Sequence, residues 1–212
     1  TLRGKKQEYQ TRALIVAAGA SHKKLGVPGE DAYIGRGVSY CAVCDGAFYR
    51  GLDAVVVGGG NIAAEDALYL SRFCRSVRLI HRRDALRASA ILQEQLKQTE
   101  NIEILWNTVV EEICGGSLVE SVKLRNRETG ENRILPANGV FVAVGINANS
   151  EIFLPELHCE SGFIAASEDC VTNIPGVFAA GDIRTKKLRQ VVTAVSDGAC
   201  AVSSAEEYLR TL

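Results

Sequence analysis

Two cysteines, Cys41 and Cys44, lie three positions apart, and the carboxyl side chain of Asp45 follows directly. A thiol pair at this spacing can close a small disulfide ring, and a neighbouring carboxyl group can exchange the proton that thiol–disulfide exchange requires. A glycine-rich segment begins at Gly58, fourteen residues after the second cysteine. One short stretch therefore predicts both a redox-active dithiol and a site for a hydride donor.

The cysteine pair has two other interpretations. Half of a zinc site needs further ligands, but no second close pair of Cys or His exists, and His22, His81 and His158 are scattered. A purely structural disulfide is unusual in a cytosolic protein, where such bonds are more often catalytic. The other five cysteines stand alone and are typical of small buried apolar side chains. We therefore expect no metal site and a redox role for the pair.

The segment from Gly58 to Ala63 has the pattern G-x-G-x-x-A of a dinucleotide-binding turn. The first glycine permits a tight turn, Gly60 lets the backbone approach a pyrophosphate, and the small Ala63 lets the helix pack closely on the strand. Asn61 and Ile62 open that helix, whose N-terminus faces the phosphates. Alone the pattern would indicate only a flexible turn, but here an apolar strand precedes it and a helical pattern follows.

The end of the next strand selects the dinucleotide. A carboxylate there would bind the ribose 2'-hydroxyl of NAD, but the chain has His81, Arg82 and Arg83, with Arg87 one helical turn beyond. Guanidinium groups match a 2'-phosphate instead. The alternative is a solvated basic loop, which Asp84 can partly neutralise. We predict NADP(H).

The elements that position these residues follow from the apolar pattern. Strands are predicted at 12–17, 54–57, 77–80, 102–105, 140–144 and 177–182, and helices at 62–73, 88–98 and from about 191. The order strand, helix, strand around Gly58 is a βαβ unit. Residues 111–144 are predicted to form a β-meander with turns at Gly115-Gly116 and Thr129-Gly130. The fold class is therefore α/β.

Composition limits the class of protein. A chain of 212 residues with 47% apolar residues can bury one sizeable core or two modest ones. A net charge of -1 gives no reason to expect a nucleic-acid or membrane partner, and no apolar run is long enough to span a bilayer. The polar start lacks a signal-peptide core, and the odd count of seven cysteines favours a reducing compartment. We expect a cytoplasmic protein.

Taken together, these motifs resemble the low-molecular-weight thioredoxin reductases, which are homodimeric flavoproteins that use NADPH and FAD. The resemblance runs over essentially the whole chain, and its most specific stretches are 35–50, 58–70, 81–88 and 172–182. It implies that Cys44 faces the flavin and receives its electrons. It also implies that Cys41 attacks the disulfide of thioredoxin and that Asp45 acts as acid and base.

The resemblance also assigns cofactor contacts. Those for NADPH are Gly58, Gly60, Asn61, Ile62, Ala63, His81, Arg82, Arg83 and Arg87. Those for FAD are Gly181 and Asp182 at the ribityl and phosphate part, and Arg189, Gln190 and Val191 at the isoalloxazine ring. The last three begin a helix, whose N-terminus stabilises a reduced, anionic flavin. Two strand exits, at Gly19 and at Val144-Gly145, complete the cofactor-binding set and mark where the chain would cross between domains.

The implied architecture is a Rossmann-like NADPH domain, built of a parallel sheet and a β-meander, inserted into an FAD domain. The NADPH domain with the dithiol is expected at 25–146, and the FAD domain at 1–24 and 147–212. No glycine-rich βαβ fingerprint precedes Cys41, and residue 1 is not Met. The chain is therefore expected to begin inside an incomplete FAD domain, without its N-terminal FAD-binding βαβ segment.

Two other functions stay open from the sequence. The chain can be a non-catalytic NADP-binding fragment with an idle dithiol. It can also be a sister flavoprotein that reduces a peroxiredoxin-linked domain or a small dithiol or disulfide partner. The arginine cluster after the second Rossmann strand favours the thioredoxin branch.

Overall fold

A computed structural model describes all residues from Thr1 to Leu212. The strands are β1 (Leu2–Arg3), β2 (Glu8–Tyr9), β3 (Leu14–Val16), β4 (Ala20–His22), β5 (Val38–Ser39), β6 (Asp53–Gly58), β7 (Ser76–Ile80), β8 (Ile102–Leu105), β9 (Thr108–Gly115), β10 (Val119–Asn126), β11 (Asn132–Pro136), β12 (Gly139–Ala143), β13 (Ile146–Ala148), β14 (Cys159–Glu160), β15 (Phe163–Ile164) and β16 (Val177–Ala179). The α-helices are α1 (Ala42–Asp45), α2 (Asn61–Ser71), α3 (Ala90–Gln98) and α4 (Val191–Arg210). None of the helices is long and apolar enough to cross a membrane.

The chain divides into two compact units. Residues 22–145 form one unit, and residues 1–21 together with 146–212 form the other. Each has buried apolar clusters of its own. The assignment of the first unit to NADPH and of the second to FAD stays a prediction.

A five-stranded parallel sheet with the order β5-β12-β6-β7-β8 forms the centre of the unit 22–145. Parallel strands that are covered on both faces are apolar throughout rather than alternating. In β6, Ala54 and Val56 pack in the cluster that holds α2 and α3, while Val55 and Val57 pack in the cluster that holds β9 to β11. The predicted α/β fold is confirmed, with helices on one face of the sheet and an antiparallel sheet on the other.

The predicted meander over 111–144 is wrong in its last strand. Strands β9, β10 and β11 form a three-stranded antiparallel sheet, whereas β12 pairs in parallel with β6 and β5. The reason is burial, because Val140 and Val142 enter one cluster and Phe141 enters the other. Only a strand inside the central sheet can bury side chains on both faces.

The unit of residues 1–21 and 146–212 is built around the parallel pair of β3 and β16. Val16, Ile164 and Ala179 belong to one apolar cluster, and Ala201 and Ala205 of α4 belong to a second. The helix predicted from about residue 191 is observed as α4. After β16 the chain turns through a 3-10 helix at Gly181–Ile183.

Candidate functional site

Cys41 and Cys44 form a disulfide with their Cα atoms 5.3 Å apart. The first sulfur lies at the start of α1, where it accepts a hydrogen bond of 3.1 Å from the backbone N–H of Cys44. Cys44 is exposed and Cys41 is half-buried. The disulfide that the spacing permits is therefore formed, and it is open to solvent at Cys44.

Ser39 connects the carboxylate of Asp45 to the start of α1. Its hydroxyl donates to Asp45 Oδ2 over 2.7 Å and accepts from the backbone N–H of Cys41 over 3.0 Å. Ser39 itself is buried, so this arrangement is held inside the unit. Ser39 was not predicted from the sequence, where its signal is a hydroxyl two positions before the first cysteine.

Two large apolar side chains are exposed on the segment that carries the disulfide. Val43 of α1 is 61% exposed, and Phe48 of the 3-10 helix that follows is 79% exposed. A phenylalanine this open to water contributes little to the core, and exposed apolar side chains that cluster mark interaction surfaces. No group of three His, Cys, Asp or Glu side chains is arranged to hold a metal ion.

The glycine-rich turn links β6 to α2. A Cβ atom at Gly58 would lie 2.6 Å from the Cβ of Ala63 and 2.5 Å from the carbonyl oxygen of Ala143, so only glycine fits between these two elements. A Cβ atom at Gly60 would meet nothing within 4 Å. The backbone at the helix start is therefore open to a ligand, as the fingerprint requires.

A cavity of about 490 Å³ adjoins this turn within the unit 22–145. Gly58, Gly59, Arg82, Arg87 and Val144 are among the residues that line it. Two lysines of the segment 23–24 also contribute, and no Asp or Glu does. Lys24 is paired with Asp31 over 2.6 Å, so Lys23, Arg82 and Arg87 are the cations that would attract an anionic ligand.

The other residues predicted for this site have different positions. Arg83 is exposed but does not line the cavity, and Ile62 is 52% exposed on α2. Asn61 accepts the backbone N–H of Ser89 on its Oδ1 over 2.9 Å. Ala63 is fully buried under the turn and contributes packing alone.

Two strand exits were also predicted to contact cofactors. Gly145 accepts the backbone N–H of Lys23 over 2.9 Å and has a φ of +123°. Gly19 has a φ of +68° and accepts the backbone N–H of Asn149 over 3.0 Å. Both conformations favour glycine, and in the structure each residue forms a backbone hydrogen bond at a strand exit.

The residues predicted to hold FAD lie in the unit of residues 1–21 and 146–212. Asp182 Oδ1 and Arg189 Nε are buried and have no hydrogen-bond partner. The Arg189 guanidinium lies 4.0 Å from the centre of the Phe163 ring. Gln190 precedes α4, and Val191, its first residue, is 81% exposed. Buried polar atoms without partners are costly, so these two atoms are positions for a polar ligand.

Asp197 on α4 holds the Gly181 turn in place. Its Oδ2 accepts the backbone N–H of Gly181 and Nε of Arg184, each over 2.9 Å, and Nζ of Lys186 over 2.7 Å. Burial opposes ionisation of this carboxyl, but the hydrogen bonds outweigh it and hold the pKa of Asp197 well below its usual range. Asp197 was not predicted from the sequence, where its signal is one acid in a stretch of small residues.

Comparison with known proteins gives relatives along nearly the whole chain. The sequence profile of the pyridine nucleotide-disulphide oxidoreductase family matches residues 1–198. The thioredoxin reductase of Listeria innocua is 48% identical over 206 residues, which cover 96% of this chain and 65% of that protein. The thioredoxin reductase of Peptoclostridium litorale is 46% identical over 100% of this chain and 69% of that protein.

A solved structure is similarly close. The crystal structure of thioredoxin reductase from Streptococcus pyogenes superposes with a TM-score of 0.92 at 43% identity, over 98% of this chain and 69% of that chain. The present chain thus spans 65% to 69% of the length of the three proteins.

Proposed function

The chain belongs to the pyridine nucleotide-disulphide oxidoreductases, within them to the low-molecular-weight thioredoxin reductases, and from this premise we propose that it serves NADPH-dependent reduction of thioredoxin. One observation carries the proposal. An accessible Cys41–Cys44 disulfide and a cation-lined cavity beside a dinucleotide-binding turn belong to the same compact unit.

NADPH is proposed as the electron donor because the cavity matches its two anionic groups. The open backbone at Gly60 and the start of α2 suit the pyrophosphate. Arg82 and Arg87 suit the 2'-phosphate, since guanidinium groups bind phosphate through paired hydrogen bonds. Arg83, which follows Arg82 in the chain and is exposed, is proposed as a further contact for the 2'-phosphate.

FAD is proposed as the second cofactor because the residues assigned to it fit such a group. The unpartnered polar atoms of Asp182 and Arg189 are a matched acceptor and donor for its ribityl, phosphate and ring atoms. Gln190 and Val191 place the start of α4 with them. When bound, FAD accepts a hydride from NADPH and hands the electron pair to a disulfide.

The cysteine pair then carries out thiol–disulfide exchange. Two electrons and two protons convert the Cys41–Cys44 bond into two thiols, and one thiolate attacks a thioredoxin sulfur to form a mixed disulfide. The second thiol of the pair attacks that bond, re-forms the ring and releases reduced thioredoxin. Asp45, held by Ser39, is the group proposed to exchange the proton. Family resemblance assigns the first attack to Cys41, whereas Cys44 is the more exposed residue.

Partner and assembly follow the same line. Val43 and Phe48 provide the apolar surface proposed to meet thioredoxin. A cytoplasmic location is proposed as well. A homodimer is also proposed, and its support is a set of exposed apolar residues that share one face of α4, namely Val191, Val195, Val202 and Leu209. Sedimentation equilibrium of the chain tests the dimer.

Single serine substitutions test the proposed function. With NADPH, added FAD and oxidised thioredoxin, we expect thioredoxin reduction by the wild-type chain and none by Cys41→Ser or Cys44→Ser. Bleaching of the flavin absorbance by NADPH should persist in both variants. Each variant keeps one cysteine of the pair. The variant whose remaining cysteine is trapped on thioredoxin as a mixed disulfide identifies the attacking sulfur.

Cys114→Ser is the matched control, because this cysteine lies in the same unit and has no disulfide partner. Undiminished turnover in the paired-cysteine variants would contradict the proposal. A chain that binds NADPH but never bleaches a flavin would favour the non-catalytic NADP-binding fragment. Reduction of a small disulfide but not of thioredoxin would favour the sister flavoprotein.

A further inference from the structure

His81 is buried beneath the glycine-rich turn, where it forms part of the wall of the cavity. It is 6% exposed, and a Cβ atom added at Gly59 would lie 2.2 Å from its ring. The edge of Trp106 packs against it, with the ring centroids 6.3 Å apart. The ring of this histidine is therefore fixed in place by the elements around it.

Both ring nitrogens of His81 face main-chain carbonyl oxygens. Nδ1 lies 2.9 Å from the oxygen of Gly58, and Nε2 lies 3.0 Å from the oxygen of Ala85. Carbonyl oxygens only accept, so the doubly protonated ring donates to both and either neutral tautomer donates to one. The two contacts join the glycine-rich turn to the arginine loop, which we define as residues 82–87.

Further backbone contacts fasten the arginine loop to the start of α2. The N–H of Arg87 donates to the carbonyl oxygen of Gly59 over 2.7 Å. Just after the loop, the N–H of Ser89 donates to the side chain of Asn61 over 2.9 Å. The turn and the loop thus form one connected frame with His81 inside it.

The other side of the loop is held by the segment around Asn107. The N–H of Asn107 donates to the carbonyl oxygen of Arg83 over 3.1 Å, and the N–H of Thr108 to that of His81 over 2.9 Å. The Arg127 guanidinium donates to the carbonyl oxygen of Arg82 over 3.3 Å. The carbonyl oxygens of Arg82 and Arg83 therefore have partners within the protein, while Arg82 and Arg87 line the cavity.

We propose that His81 is a positioning residue whose two ring nitrogens act on different parts of the dinucleotide. In the doubly protonated ring, the Nε2–H donated to Ala85 holds the arginine loop for the 2'-phosphate, and the Nδ1–H donated to Gly58 holds the turn for the pyrophosphate. This inference rests on the NADPH site proposed above. Its physical basis is preorganisation, because a fixed loop loses less conformational entropy when it binds.

Substitution of His81 by asparagine or by glutamine tests the two contacts one at a time. The short amide of His81→Asn can place a donor near Gly58, and the longer amide of His81→Gln can place one near Ala85. Binding of NADP⁺ and NAD⁺ to the full chain is measured by calorimetry. Because one hydrogen bond is lost, we expect His81→Asn to weaken NADP⁺ binding about tenfold while NAD⁺ binding changes less than about twofold. We expect His81→Gln to weaken both ligands by similar factors.

The matched control is His158→Asn, an exposed histidine in the other unit, which should bind both ligands as the wild type does. If His81→Asn retains the wild-type preference for NADP⁺, the inference is overturned and the proposed function stands. If the wild-type chain has no preference for NADP⁺, the proposed function and this inference both fail.

A measurement on the wild-type chain tests the inference even if the His81 variants do not fold. Nitrogen NMR resolves the two ring nitrogens of His81. We expect NADP⁺ to shift the Nε2 resonance and NAD⁺ to leave it unchanged, because only the first ligand engages the arginine loop. Equal responses of Nε2 to both ligands, or none to either, would overturn the inference.

Discussion

Arginines in the unit 22–145 differ in what their guanidinium groups bind. Arg75 is tied to Asp53 and Arg125 to Glu111 by ion pairs on the surface. Arg82 and Arg87 have no ion pair and line the cavity. A guanidinium that already has a carboxylate partner must lose it to bind a phosphate, so the unpaired arginines are those suited to a 2'-phosphate.

The residue-scale prediction concerns Arg82→Ala. Loss of one charged hydrogen bond to the 2'-phosphate should weaken NADPH binding by about 1.5 to 3 kcal/mol. NADH has no 2'-phosphate and should lose far less. Fluorescence titration of the full chain with each nucleotide measures the difference.

Arg125→Ala is the control, since it removes an exposed arginine of the same unit that does not line the cavity. Equal losses for NADPH and NADH in Arg82→Ala would mean that the basic loop is only a solvated surface.

Helix α2 contains an acid on its half-buried side. Burial, together with a smaller effect of the neighbouring Glu65 carboxylate, raises the pKa of Asp66 to about 7. The folded chain therefore holds a proton that the unfolded chain has already lost between the ordinary pKa of 3.8 and about 7. Across that range the stability of this element falls as the pH rises.

The element-scale prediction is that Asp66→Asn removes the fall in stability that accompanies a rise in pH. Above pH 7 the variant should be more stable than the wild type by on the order of 1 to 3 kcal/mol, and near pH 4 the difference should vanish. The single tryptophan, Trp106, lies in the same unit, so its fluorescence during urea unfolding measures the effect.

Glu100→Gln, an exposed acid-to-amide change, should leave the curves at both pH values unchanged. A stability gain for Asp66→Asn that is the same at pH 4 and pH 8 would contradict the titration argument.

At the scale of the whole molecule, the two units have separate apolar clusters. In the unit of residues 1–21 and 146–212, the carboxylate of Asp197 is buried against Arg184 and Lys186. Because its folded pKa lies below the unfolded value, its contribution to stability is present at neutral pH and is lost as the pH falls. The charge on this one side chain therefore supports a whole unit.

The whole-molecule prediction is that Asp197→Ala destabilises one unit alone. Two buried cations left without their carboxylate should cost about 3 to 5 kcal/mol. Circular dichroism, to which the long helix α4 contributes strongly, should show a transition at lower urea concentration. The Trp106 fluorescence transition and NADP⁺ affinity at low urea should stay as in the wild type.

Glu112→Ala serves as the control, because it removes an exposed ion pair with Lys123 and such pairs contribute little to stability. A parallel shift of the fluorescence and dichroism transitions in Asp197→Ala would show that the units unfold together.

Local patterns determined much of this protein from sequence alone. The spacing of Cys41 and Cys44, the glycine-rich turn at Gly58 and the apolar runs of β6 and β7 each lie within a few residues, so local chemistry was enough to predict them. The tertiary structure decided what depends on distant contacts. Strand β12 lies in the central sheet and not in the predicted meander. Its burial on both faces depends on contacts with distant residues that form only on folding. The tertiary structure also set the His81 ring against the carbonyl oxygen of Gly58 and brought Asp197 to Gly181, since hydrogen bonds between residues far apart in the chain leave no trace in spacing or composition.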